Sequence, residues 1–249
     1  MLKSPLDIIG VDCAVDPRNV GLCRARLHEG SLVALEVATA LGGNALDERL
    51  LSWVNAAVRP LLALDAPLGW PSPLADVLAQ HRAGNPLPRE RNALFRRQSD
   101  DVVAERLKKR PLDVGADRIA RTAHAALELL RELRWATGLE LPLAWRPGWP
   151  VEASVIEVYP AGTLKAHGLL SSGYKGHGRR QARQGIVEAL RPLIEVPDPI
   201  VEGMLESDHI VDAVVCAVAG ADFLRGEVME PEDLELARKE GWIWVRIPP

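Results

Sequence analysis

The chain has 249 residues, 47% hydrophobic and 26% charged, with a formal net charge of −4. That is the composition of an ordinary globular protein able to bury its own core, and the negative balance excludes a generally basic nucleic-acid coat while leaving room for a local basic groove. Its three cysteines, Cys13, Cys23 and Cys216, exclude a disulfide framework and lack metal-site spacing, which points to a reducing, cytoplasmic setting, and no apolar run approaches the roughly 18 residues of a membrane span.

The opening Met1-Leu2-Lys3-Ser4-Pro5 does not read as a signal peptide. It leads into Leu6–Val15, an apolar, β-branched run of the kind found in a buried central strand. Asp16-Pro17-Arg18-Asn19 is a turn, and Val20–Leu27 returns as a hairpin partner. Glu29-Gly30 turns the chain into a third strand, Leu32–Thr39, which Gly42-Gly43-Asn44 breaks. Leu46, Leu50, Leu51, Val54 and Val58 recur at helical spacing. Pro60 ends that helix, and Leu61–Leu64 is a fourth, buried strand. Residues 67–150 then change character: a sharp Pro/Gly/Trp loop, a helix over Leu74–Arg82, a stretch rich in Pro, Asn and Arg, helices near Asp100–Lys108 and Ala116–Thr137, and a loop carrying Trp145 and Trp149. We read this as a helical insertion after the fourth strand, within a single domain spanning 1–249. The sheet resumes at Ala153–Val158. A short helix follows Tyr159-Pro160-Ala161-Gly162, then a flexible loop over 171–178 and a helix over Gln181–Leu193. Ser207 is the predicted N-cap of a long Ala/Val-rich helix, Asp208–Leu224, and Trp242–Ile247 is a predicted closing edge strand. The pattern is α/β, a mixed sheet flanked by helices.

Four carboxylates stand out against this frame. Asp12 sits in the most apolar strand, Asp65 ends another, and Glu157 lies near the end of a third. Asp212 lies one turn into the Ala/Val-rich helix, with Asp208 four residues earlier on the same face. A lone acid at a strand end can simply cap a turn or pair with an arginine, and Asp208 can complement the helix dipole. Several ionised carboxylates beside apolar runs are costly to bury singly, and together they suggest a shared cation. Mg²⁺ takes hard oxygen ligands. Two ions roughly 3.5–4 Å apart activate a water and stabilise a leaving oxygen in phosphodiester cleavage.

The segments Ile9-Gly10-Val11-Asp12, Leu64-Asp65-Ala66-Pro67-Leu68-Gly69, Ile156-Glu157-Val158-Tyr159-Pro160 and Asp208-His209-Ile210-Val211-Asp212-Ala213 carry a resemblance. In order and spacing they are similar to the markers of a family of predicted RNase H-like nucleases, long labelled domain of unknown function 429. The resemblance spans about residues 6–248. It implies an RNase H-like mixed five-stranded sheet flanked by helices, a divalent-metal-dependent nuclease, and ligation of Mg²⁺ or Mn²⁺ by Asp12, Asp65, Glu157 and Asp212, with Asp208 beside them. The long Pro/Arg/Trp insertion departs from the family pattern, as does Cys13, where a small residue would be expected after the first Asp.

Two basic segments are candidates for holding DNA or RNA phosphates. Residues 89–110 carry eight cations, Arg97 among them, against four acids. Residues 175–191 carry Lys175, Arg179, Arg180, Arg183 and Arg191 against Glu188 alone. A solvated helix face is the ordinary alternative. Tyr174, in the Gly-rich loop, is a candidate to stack on a base or cover the site. His209 is either a proton relay or a helix-surface histidine. No nucleophilic triad, reactive thiol, Walker motif or dinucleotide fingerprint is present. Two other functions compete with a nuclease. An actin-like or sugar-kinase-like phosphotransferase needs glycine-rich, hydroxyl-bearing turns for ATP phosphates, whereas here Cys13-Ala14-Val15-Asp16-Pro17 follows Asp12 and the turn after Asp65 is Pro-rich. A non-catalytic RNase H-like binding module would have no need of all four acids.

Overall fold

The unbroken apolar run of the first segment becomes strand β1, Leu6–Asp12, buried along its whole length. In the computed structural model, which describes residues 4–39, 45–87, 90–115 and 117–249, it is the centre of a five-stranded sheet of order β3-β2-β1-β4-β5. Asp7, the one charge in the interior of β1, is paid for by Arg24 and Arg26, whose guanidinium groups lie 2.6 and 2.7 Å from its carboxylate. Strand β2, Gly21–His28, runs antiparallel to β1, and β3, Ser31–Thr39, runs antiparallel to β2. Strands β4, Leu61–Asp65, and β5, Ser154–Glu157, continue in parallel on the other side. The β1–β4 register sets Asp12 directly beside Asp65, at the carboxyl ends of both strands.

Helix α1, Ala45–Ala56, connects β3 to β4, and the insertion supplies α2, Ser72–Leu78, α3, Arg91–Phe95, α4, Gln98–Leu107, and α5, Asp117–Thr137. After β5 come α6, Pro160–Ala166, α7, Arg180–Leu190, α8, Asp198–Glu206, α9, Asp208–Arg225, and α10, Leu234–Glu240. Period-two alternation sorts the sheet into two faces. Ile9, Val11, Leu62, Leu64 and Val155 pack with Leu50, Trp53 and Val54 of α1 and Ala126, Leu130 and Leu133 of α5. Ile8, Cys23, Ala25, Ala63 and Ile156 face α9 and the helices stacked on it.

Helix α9 lies unusually close to β1, and glycine makes that possible. A Cβ on Gly10 would sit 2.1 Å from the Ala213 carbonyl oxygen, and one on Gly220 would sit 2.6 Å from Cγ2 of Ile8. The predicted cap is present: Ser207 Oγ accepts from Ile210 N at 3.4 Å. Gly226, at φ 77°, closes the helix in the left-handed conformation that suits glycine.

Two expectations are corrected. Trp242–Ile247 is extended and buried through Val245, but it makes only isolated bridges, Ile243 to Glu157 and Arg246 to Val228, so it is no ladder strand. The loop before α9 contains α8, and the segment before Trp242 contains α10, both unanticipated. Trp145 and Trp149, partly buried, pack against the α9-side core. The Gly42-Gly43-Asn44 break, the side chain of Leu46 and Arg89 lie outside the described residues. Among the described residues no helix is long and apolar enough to cross a membrane.

Candidate metal centre

Asp12 and Asp65 end neighbouring parallel strands in register, so their side chains leave the sheet on the same face. Asp212 comes down onto that face from the second turn of α9. Oxygens of all three carboxylates lie within 4.8 Å of one another, with Asp12 and Asp212 buried and Asp65 partly so. Asp12 and Asp65 line a cavity of about 580 Å³, together with Lys175, His209 and, from the first turns of α5, Arg118, Arg121 and Thr122. A larger cavity, about 660 Å³, lies beside Gly30 and Leu32 and is lined by none of these acids.

Two of the three carboxylates, Asp12 and Asp212, have definite side-chain partners. His209 Nδ1 is 2.7 Å from Asp12 Oδ2. Tyr174 donates its hydroxyl to Asp212 Oδ1 at 2.6 Å, and Lys175 Nζ is 2.6 Å from Asp212 Oδ2. The Tyr174–Lys175 loop is anchored in turn. Gly176 N donates to Asp208 Oδ2 at 3.0 Å, and buried Arg183 donates to the carbonyls of Tyr174, Gly176 and Leu205. Gly173, Gly176 and Gly178 all take positive φ, which lets this loop fold back over the acids.

The electrostatics follow from crowding like charges in a partly dry place. Burial pushes the Asp12 carboxyl up to about 6, with Asp212 adding to the push and the His209 hydrogen bond opposing it. Burial, then Asp12 and Asp212, push Asp65 well above the usual carboxylate range. Burial also raises Asp212, against the pull of Lys175 and Tyr174. Asp12 holds His209 above the usual imidazole range. Burial works against the charge on Lys175, yet Asp212 and then Asp65 keep it above the usual lysine range. Three hard oxygen donors with mutually destabilised charges, at the mouth of a cavity, are a donor set that suits Mg²⁺ or Mn²⁺.

Other residues expected in the site border the three acids without joining them. Glu157 lines the same cavity, but it is level with Leu64, one residue short of Asp65, so alternation turns its carboxylate away from the other three. There it meets Arg97, at 2.9 and 2.7 Å, and accepts from Leu68 N at 2.9 Å. Burial raises Glu157, and Arg97 opposes the rise. Arg97 is only 2% exposed and also binds Asp100 at 2.9 Å. It stands in the wall of the cavity with its guanidinium taken up by these two buried carboxylates. Tyr174 is 1% exposed, so it holds Asp212 and presents no stacking face to solvent. Asp208 ties down the loop beside the three acids instead of joining them. Arg179 is exposed at the N-cap of α7. His209 was the signal closest to hand, three residues before Asp212 on a helix and therefore on the same side of it. Arg118 and Arg121 gave none, since their approach depends on how α5 packs.

The family described as "Protein of unknown function (DUF429)" matches residues 10–236, a span that contains every residue of this site. No curated protein matches the chain.

Proposed function

The chain belongs to the DUF429 family, and from that premise we propose that it is a divalent-metal-dependent nuclease hydrolysing phosphodiester bonds in nucleic acid. The observation that carries this reading is the meeting of Asp12, Asp65 and Asp212 within 4.8 Å beside an open cavity. An RNase H-like architecture belongs to the same proposal. It is supported by the sheet order, with an antiparallel β1–β2–β3 half and a parallel β1–β4–β5 half, and by an acid at the carboxyl end of β1.

Asp12, central and shared, together with Asp65 and Asp212 would hold Mg²⁺ or Mn²⁺, as one ion or a pair. When bound, the cation supplies charge neutralisation to the phosphodiester and makes an attacking water more acidic. The chain does the rest. His209, held on Asp12, is positioned to move a proton at its Nε2. Lys175, freed from part of its duty to Asp212, lies where it can meet a phosphate oxygen, Arg118 and Arg121 add positive charge at the rim, and exposed Arg179 is a further candidate to hold the substrate backbone. Glu157 acts at one remove: by accepting from Leu68 N it fixes the loop that follows Asp65.

The test is calorimetric titration with Mn²⁺ followed by a cleavage assay on single-stranded, duplex, hybrid and branched DNA and RNA. Metal binding with cleavage that EDTA abolishes is expected. Cleavage indifferent to EDTA overturns the reading, and metal binding without cleavage of any substrate replaces it with a non-catalytic binding module.

A further inference from the structure

Beyond the acid cluster, α5 continues past a second cavity of about 280 Å³. Its walls are apolar: Val11 from β1, Leu22 from β2, Leu50 from α1, and Ala125, Ala126 and Leu129 from α5. Val20 also lines it, and His124, Glu128 and Glu132 are the polar groups of its lining. Cys13 and Ala14, the two residues after Asp12, line both this cavity and the acidic one, so the two share a wall. A stripe on α5 joins them from the other side. Arg118, Arg121, Thr122, Ala125, Glu128 and Leu129 recur at steps of three and four and therefore share a helix face. The first three line the acidic cavity and the last three the apolar one. From Arg121 to Ala125 the rise along the axis is about 6 Å, so cationic and apolar surface follow each other within the span of one nucleotide.

We propose that the apolar cavity is a nucleobase subsite, taking the base of the nucleotide whose phosphate meets the acid cluster; this rests on the phosphodiesterase reading. Concave apolar walls with a few polar groups at the rim are the usual surroundings of a small planar ligand. A base offers an apolar face to such walls whatever its sequence identity. The occupant is taken to be part of the same substrate as the phosphate, because only the wall of Cys13 and Ala14 separates the two chambers and the α5 face runs past both. The subsite would make the protein prefer an unpaired nucleotide, since a base inside a duplex cannot leave the stack without cost.

The experiment compares adenosine 5′-monophosphate with ribose 5-phosphate, which lacks only the base, by calorimetry on the Mn²⁺-loaded protein. Adenosine monophosphate is expected to bind at least tenfold more tightly. The variants Ala125→Phe and Val20→Phe fill the cavity from opposite walls, and both are expected to bring that ratio close to one. A ratio near one in the wild-type protein overturns the subsite and leaves the phosphodiesterase reading standing. Failure of both ligands to bind overturns the two together. Photolabelling of the wild-type chain with 8-azidoadenosine monophosphate needs no variant to fold: label within residues 11–22 or on α5 supports the subsite, and label elsewhere overturns it.

Discussion

Lys175 Nζ lies 2.6 Å from Asp212 Oδ2, so the acid cluster carries a counter-ion of its own. The same lysine acts on Asp12 and Asp65 through space. A divalent cation entering the cluster therefore competes with Lys175 for the charge of Asp212. The substitution Lys175→Met keeps most of the stem and removes the ammonium. The metal-free variant should melt below wild type, because the acids lose a neutralising neighbour. Its gain in melting temperature on adding millimolar Mg²⁺ should be larger than that of wild type, because the competitor is gone. Equal gains in the two proteins, read by scanning fluorimetry, would remove Lys175 from the metal equilibrium.

The shifted carboxyl and imidazole groups give the metal-free protein a characteristic pH response. Burial holds Asp12 at about 6, above its unfolded value of 3.8, and Asp12 holds His209 above its unfolded value of 6.5. Between unfolded and folded values the native state binds more protons, so stability falls as pH rises. For His209 the gain is complete below about 6.5 and is lost as pH climbs through the raised folded value. For Asp12 a penalty builds between about pH 4 and 6 and persists above, on the order of 1–3 kcal/mol. Melting temperature without metal should therefore be higher at about pH 6 than at about pH 8. With saturating Mg²⁺ the slope should flatten or reverse, since the ion takes the place of the protons. A metal-free profile rising toward pH 8 would contradict the protonation pattern of the cluster.

Arg97 is the second charge cluster, and its role is structural. Its guanidinium binds Glu157 and Asp100 and donates to the Glu240 carbonyl at 3.3 Å, tying α4, β5 and α10 together. Arg97→Met should destabilise the fold by about 3–5 kcal/mol, the usual cost of stripping one partner from a buried ion pair. The double variant Arg97→Met/Glu157→Gln should recover part of that loss. Denaturant titration checks both, and strict additivity of the two substitutions would deny the coupling.

What the sequence could disclose tracks how local each cause is. The strands follow from apolar runs bounded by turns, and Asp12 and Asp65 were readable because each interrupts or ends such a run. The α9 cap was readable because Ser207 acts on a residue three positions away. Glu157 shares those local signs, yet its face is decided by register: it pairs with Leu64, and its partner Arg97 lies 60 residues back in the chain. Nothing in a linear pattern sets that alignment. Helix α8 opens with Pro197 and Pro199 around its first turn, a pair that suggests a loop although proline is well tolerated there. Trp242–Ile247 has the aromatic and β-branched run of a strand, but beyond β5 it finds only single bridges to pair with.

Asp12→Asn gives the sharpest separation of function from fold. Asparagine keeps the shape, and its carbonyl oxygen can still accept from His209 Nδ1. It removes one of three negative charges that raise each other's protonation range, and it removes a ligand. Relief of repulsion should raise the melting temperature of the metal-free protein at about pH 7.5, where Asp12 would otherwise be ionised above its value of about 6. The same change should abolish the stabilisation by Mg²⁺ and lower cleavage by about 10³-fold or more, on the scale of losing an essential catalytic group. A stabilised protein without metal response or turnover is the pattern of a residue kept for chemistry at a cost to the fold. If Asp12→Asn instead melts lower than wild type without metal and retains the Mg²⁺ response, Asp12 is a structural acid tied to His209, and the metal centre must be assigned to other residues.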